Sequence, residues 1–244
     1  MSRVYQILVL ALFGAVWFVG SLLTNSLIPS PNDAILAFLE ILSNGKLALG
    51  FLNSLYRYAL GLVIGVVLGV TSGFLLGLNH TILKAFDPLI NLLRPISPIA
   101  WMPIVVIIFG LGNKPSIFII AYAVFFPIML ITIKAINDVS KDLIMMARNF
   151  GASRWQVLKG VIYPSSFFDI ASGLKLVASL AWINLVVGEM AGAQTGLGYM
   201  IIDARNQLRT DIVIAVIITI GAVGYAINLV FLWFEKRIAK RFGL

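Results

Sequence analysis

The sequence predicts an all-α membrane protein with six transmembrane helices, both termini cytoplasmic, and a polar helical loop between the fourth and fifth spans. Three observations carry this. Hydrophobic residues make up 60% of the 244 and charged residues only 11%, with a mean hydropathy of +1.01. A soluble domain carries about a quarter charged residues. The apolar residues fall into runs of about 20 or more, the length that crosses a bilayer as a helix. Lys and Arg gather between alternate runs, which is the positive-inside pattern. No alternation of about ten residues recurs, so a transmembrane barrel is excluded.

Six spans follow in order, at roughly 5–28, 51–78, 90–111, 115–136, 168–190 and 212–234. The first is too long for a signal peptide and has only Arg3 ahead of it, so a retained helix is expected. An even count puts both ends on one side. Arg3, Lys236, Arg237, Lys240 and Arg241 mark that side as cytoplasmic, together with Lys84 and Arg94 near loop 79–89 and Lys141, Arg148, Arg154 and Lys159 in loop 137–167. The outer side keeps Lys46, Lys114, Arg205 and Arg209, with Arg57 near the start of the second span. Residues 29–50 begin Pro29-Ser-Pro31 and read as a short interfacial helix from Asp33 to Leu42. The chain is expected to form a single transmembrane domain over 1–244, with an additional N-terminal helix 1–28, core helices over about 51–234 and the loop at 138–167.

Inside the spans, three features stand out. Gly61, Gly65, Gly69, Gly73 and Gly77 recur every four residues, forming a ridge without side chains that lets another helix approach closely. A smooth wall of a solute path is the other reading. Pro95, Pro98 and Pro103 interrupt the third span. Broken helices at membrane depth occur where protein or a water-filled cavity satisfies the freed backbone, so this segment is a candidate path. Glu189 lies near the outer end of the fifth span, where an intramembrane acid is costly. It reads either as a structural hydrogen-bonding group or as an outer gate, with Asn184 on the same face as its candidate partner.

The loop 138–167 is the most informative segment. Ser140 to Phe150 forms a short helix, and Gly151 stands where a helix C-terminus takes positive φ. Ser153 and Gln156 have capping-box spacing for a second helix start, and Pro164 precedes the next span. The exposed corner is Phe150, Gly151, Ala152, Ser153, Arg154 and Trp155. Aromatic residues and Arg suit the core of a docking interface; an amphipathic helix lying on the bilayer is the alternative.

The stretch Ala147-Arg-Asn-Phe-Gly151-Ala-Ser-Arg-Trp-Gln-Val-Leu-Lys-Gly-Val-Ile-Tyr-Pro164 resembles the Glu-Ala-Ala loop of binding-protein-dependent ABC-importer permeases, with Ala147, Gly151, Val161 and Pro164 at matching positions. Met145, Met146 and Tyr163 depart from that family's glutamate, alanine and leucine. The resemblance extends over about 50–240. It includes Leu93-Arg-Pro-Ile-Ser-Pro-Ile-Ala-Trp-Met-Pro103, then Phe109-Gly110, Gly188-Glu189-Met190 and Gly196-Leu-Gly198, and it is similar to the nitrate, taurine and aliphatic-sulfonate branch. It implies a multi-pass subunit of a bacterial inner membrane. Its implied partners are a second copy of the permease in a homodimer, two cytoplasmic ATPase subunits, an extracytoplasmic substrate-binding protein and membrane lipid. Residues 138–167 would then be the coupling loop. ATP and Mg would be bound by the partner ATPases, with no cofactor in this chain. For an oxyanion solute, Ser97, Trp101 and Asn184 are the candidate donors, in a path with Pro98 and Glu189.

Several functions are disfavoured by what the sequence lacks. There is no cysteine and a single histidine, His80, so thiolate and multi-histidine metal sites are not expected. A G-x-x-x-x-G-K-[ST] phosphate loop is missing; the Gly45-Lys46 pair is followed by Leu47. The net charge of +8 is topological, and no nucleic-acid partner is expected. An intramembrane hydrolase needs a nucleophile–base or acid pair at depth, which the sequence does not offer. An ion-gradient-driven secondary transporter remains the alternative, with Glu189 as its lone coupling acid.

Overall fold

The computed structural model describes residues 2–23 and 28–242, all of it helix, turn and loop; residues 24–27, at the end of the first predicted span, lie outside. The helices are α1 (Ser2–Leu23), α2 (Pro31–Ser43), α3 (Lys46–Gly77), α4 (His80–Leu93), α5 (Met102–Phe109) and α6 (Asn113–Asn137), then α7 (Lys141–Asn149), α8 (Arg154–Val157), α9 (Tyr163–Gly192), α10 (Leu197–Asn206) and α11 (Thr210–Phe242). Among the described residues, four helical runs are long and apolar enough to cross a membrane: Lys46–Gly77, Asn113–Asn137, Arg154–Gly192 and Thr210–Lys240. A bent pair, His80–Leu93 with Pro98–Phe109, makes a fifth if counted as one span.

The glycine ridge decides how the centre packs. A Cβ built on Gly61 would lie 2.6 Å from Ile120 Cβ, one on Gly65 2.8 Å from the Ala121 carbonyl, and one on Gly73 2.6 Å from Thr132 Cβ. Gly69 meets Ile128 and Gly77 meets Ile136 in the same way. From Gly61 with Ile120 to Gly77 with Ile136 the offset stays at 59 residues (120 − 61 and 136 − 77). The constant offset means that α3 and α6 run parallel, backbone against side chain, for more than four turns. Contact this close supplies dispersion that lipid cannot match.

A parallel pair requires the chain to travel back between them. That return is the segment predicted as one span over 90–111, and it is not one helix. α4 ends at Leu93, a short 3₁₀ turn covers Pro98–Trp101, α5 follows, and the two parts meet at 82°. The three prolines remove donors and push the residues before them out of helical geometry. Tyr122 Oη donates to the Leu93 carbonyl (2.7 Å) and secures the break from α6.

Two further boundaries differ from the sequence reading. α3 starts at Lys46 rather than 51, and the predicted loop 79–89 is mostly α4, capped by Asn79. The fifth span begins far earlier than 168. Arg154 to Gly192 is one run of 39 residues, so Pro164 does not end a helix. A π turn at Leu158–Ile162 precedes it, and the wider turn lies where the proline ring would meet the Gly160 carbonyl. α9 then runs antiparallel to α6, with Gly173 against Ile131 and Gly188 against Ser116.

At the end opposite the 138–167 loop, Arg209 Nη2 donates to Glu40 (2.7 Å) and Asp211 (2.9 Å), tying α2 to the start of α11. The Arg209 hydrogen bond and charge hold the Glu40 carboxyl below its usual value. Just before it, α10 ends in a Schellman motif: Leu208 N–H donates to Arg205 O and Arg209 N–H to Ala204 O. Leu208 takes φ +59 in the position glycine usually fills, with its side chain 86% exposed. Leu208→Gly is therefore expected to stabilise the protein by about 0.5–1 kcal/mol. The thermal midpoint in detergent should rise; a fall would mean that the leucine side chain packs.

Candidate functional sites: a docking corner and a buried ionic knot

The two sites of interest lie at opposite ends of the run 154–192. At its start, α7 ends at Asn149 and Gly151 takes φ +80. Gly151 N–H bonds to Arg148 O and Ala152 N–H to Ala147 O, closing the turn. Ser153 Oγ accepts from Gln156 N–H while the Gln156 side chain accepts from Ser153 N–H (2.8 Å), a complete capping box. Phe150 is 88% and Trp155 70% exposed. Two rigidly set aromatic side chains thus project from a corner that Arg148 and Arg154 make basic. Pro164 is exposed on the first turn of α9.

At the other end, Glu189 is a structural hydrogen-bonding group, the first of its two readings, and it is fully buried. Asn184 is not its partner, because its amide donates to Leu180 O of its own helix. The partner is Arg57, whose Nη1 lies 2.6 Å from Glu189 Oε1, with Arg57 1% exposed. Ser54 Oγ lies 2.8 Å from both carboxylate oxygens and accepts from Leu197 N–H; Gly198 N–H donates to Oε2 (2.9 Å).

The Arg57 fork reaches further. Nη1 donates to Thr195 O (2.7 Å), Nη2 to Thr195 Oγ1 and Nε to Asn113 Oδ1 (2.8 Å). One guanidinium therefore joins α3, the start of α6, the end of α9 and the turn before α10. A buried charge pair holds only when its remaining donors and acceptors are satisfied, and this one is. Gly196 has φ +107 and its missing side chain leaves room for the carboxylate and Arg57.

Sequence reasoning missed Arg57 because it counted it among the outer charges. The signal was present: Ser54 and Arg57 sit three residues apart, on one helix face, in an apolar run. Only their pairing with a residue 132 positions away was invisible.

The remaining predicted path residues do not converge. Ser97 is exposed at the break, Pro98 opens the 3₁₀ turn, and the Trp101 ring lies tilted 5.9 Å from Tyr122. No hydrogen bond joins Ser97, Trp101, Asn184 and Glu189 to one another among the described residues. The Trp101 indole N–H and Ser116 Oγ are buried without a hydrogen-bond partner among the described residues. Beside the break runs an apolar groove of about 460 Å³ lined by Ile64, Leu68, Phe109, Phe118, Tyr122 and other residues of α3 and α6, with Lys114 among its walls. Among the described residues, no cluster of three or more metal-ligating side chains occurs.

Comparison with known proteins agrees with this architecture. The family model described as a binding-protein-dependent transport system inner membrane component matches residues 61–242. The taurine transport system permease protein of Escherichia coli is 35% identical, over 78% of this chain and 69% of its own length. A putative aliphatic sulfonates transport permease protein of Bacillus subtilis is 32% identical, over 93% and 83%. Among solved structures, an inward-facing MetNI methionine ABC transporter has a TM-score of 0.68 at 18% identity, covering 79% of this chain and 96% of that one. The fold, the family match and the close relatives agree: the chain belongs to the binding-protein-dependent transport system inner membrane components and is a permease subunit of an ABC importer.

Proposed function

We propose that this permease forms, with a second copy of itself, the path for a small solute carrying a sulfonate or similar oxyanion. An external binding protein delivers the solute, and two cytoplasmic ATPase chains drive the cycle. The observation that carries the reading is the corner at 150–155: a glycine turn and a capping box fix Phe150 and Trp155 outward, the side chains an interface core favours. In this reading α1, the four long runs and the bent pair are six spans of one domain. Both termini and the corner face the cytoplasm, and Ala147, Phe150 to Trp155 and Pro164 form the coupling contact.

The solute class rests on the relatives named for taurine and aliphatic sulfonates, which share the sulfonate group; nitrate is a smaller oxyanion of the same kind. In this reading the path runs at the break, where the exposed Ser97 offers a donor and no fixed anion. Glu189 belongs to this scheme as a structural group rather than a path-lining one, since none of it is exposed.

Gly151→Pro and Trp155→Asp test the corner. Proline cannot adopt positive φ, and an aspartate would bring a buried negative charge into the interface. Both variants should insert normally yet lose ATPase association, or hydrolyse ATP without solute uptake in proteoliposomes. Normal coupling in both would sink the assignment.

A further inference from the structure

The bonds between α6 and α9 are unevenly distributed along their length. At the end away from the corner, Gly112 N–H donates to Gly192 O (2.9 Å), joining the residue before α6 to the last residue of α9. Arg57 holds Asn113 at the first position of α6 and Glu189 near the end of α9. Every α6–α9 bridge described above thus falls within one turn of that end. Toward the corner the two helices meet through apolar side chains, with Gly173 against Ile131 and Ile128. Directional, charge-assisted bonds resist separation and sliding; apolar contacts between helices in lipid shear and part more easily.

The second observation is continuity. The docking corner and Glu189 belong to one helical run of 39 residues, about 57 Å long at 1.5 Å per residue. A push on Trp155 is therefore applied to the far end of a rod pinned by charge at its other end and tied to α3 near its middle by one longer bond, Tyr58 Oη to Ala178 O (3.2 Å). The π turn at Leu158–Ile162 lies next to the pushed end, where an irregular turn allows the corner to tilt without unwinding the rod.

We propose that the Arg57–Glu189 pair, with Asn113 and Gly112, is the hinge of the transport cycle. α9 swings about it, opening or closing its corner-side half against α6, while the outer ends of the two helices keep their spacing. Arg57 and Glu189 are positioning residues: they touch no solute and set the axis of the motion. The inference rests on the corner being the ATPase contact.

The first test reads distances and needs no knowledge of the solute. The chain has no cysteine, so introduced pairs are unique. Lys134→Cys with Asp169→Cys reports the corner-side ends of α6 and α9, and Lys114→Cys with Ala191→Cys the outer ends; all four side chains are exposed. Spin labels on one permease copy, diluted with cysteine-free copies in the intact complex, are measured at rest and with ATP and vanadate trapped. The corner-side distance should change by several Å and the outer one should not. An equal change at both ends, or a change at the outer end alone, overturns the hinge.

A second variant separates positioning from mere support. In Arg57→Met/Glu189→Met the apolar pair replaces the charges. If the variant folds and retains its ATPase, the outer distance should now change as well, and solute moved per ATP should fall by about tenfold, within the usual span of coupling between sites. A fixed outer distance and a normal ratio would show a purely structural pair and overturn the hinge. Should that variant fail to assemble, Asn113→Ala cuts only the tie to α6 and decides by the same two readings. Normal coupling in both Gly151→Pro and Trp155→Asp would mark failure of the corner assignment instead, and the distances would still decide the hinge.

Discussion

Glu189→Met is expected to cost the folded bundle about 3–5 kcal/mol, and Arg57→Met about as much, because each leaves the opposite charge buried and unpaired. Neither group has another charge to turn to: Arg57 is 1% exposed and Glu189 is fully enclosed, with neutral Ser54, Asn113 and Thr195 around them. The double variant should recover most of the loss, since a buried pair exchanged for apolar groups is often neutral. It should not recover all of it. Gly198 N–H, which donates to Glu189 at 2.9 Å, would be left without an acceptor, at about 1–3 kcal/mol. Unfolding by SDS in mixed micelles, run as a double-mutant cycle, measures the difference. Strictly additive losses would mean that the two charges find other partners.

Gly65→Leu should be nearly as damaging. Even the Cβ of an alanine there would lie 2.8 Å from the Ala121 carbonyl and from Val124 Cβ, so α3 must move away from α6 along its length. Overpacking of this kind costs about 1–3 kcal/mol for a methyl group and more for a larger side chain. Gly221 on α11 is the control, with no atom within 4 Å of an added Cβ; Gly221→Leu should stay within about 0.5 kcal/mol of the parent. Thermal midpoints and the yield of folded protein in detergent report both. Equal behaviour of the two variants would show that the ridge is not a packing surface.

How much of this was legible beforehand differs by element. The corner at Gly151 was fully written in the sequence, because a glycine C-terminus and a Ser153–Gln156 box are local devices. Each needs only residues within one or two turns. The ridge was legible as a ridge, but its counterpart was not. Nothing in Gly61 through Gly77 names Ile120, Val124, Ile128, Thr132 and Ile136 as the facing side chains. The break in the span over 90–111 was legible, but not its 82° angle or the start at His80, because three prolines announce that a helix breaks without saying through what angle. The extension of the fifth span to Arg154 was missed for a related reason: a proline reads as a helix boundary unless an irregular turn ahead of it makes room.

Glu189 marks the division most sharply. The sequence by itself determined that an acid sits in an apolar span near a glycine-rich turn, and that such an acid must be either paired or functional, since desolvating a lone charge is prohibitive. It also determined membrane residence, the glycine ridge and the exposed corner at Gly151, all set by composition or by neighbours along the chain. The tertiary structure alone decided that the counter-charge is Arg57, and that Asn184 turns back onto its own helix. It decided as well that α3, α6, α9 and the turn before α10 are tied at one point. Those facts depend on which helices lie side by side. Hydropathy makes every span interchangeable to the lipid, so only close packing and the pairing of buried charges choose among them.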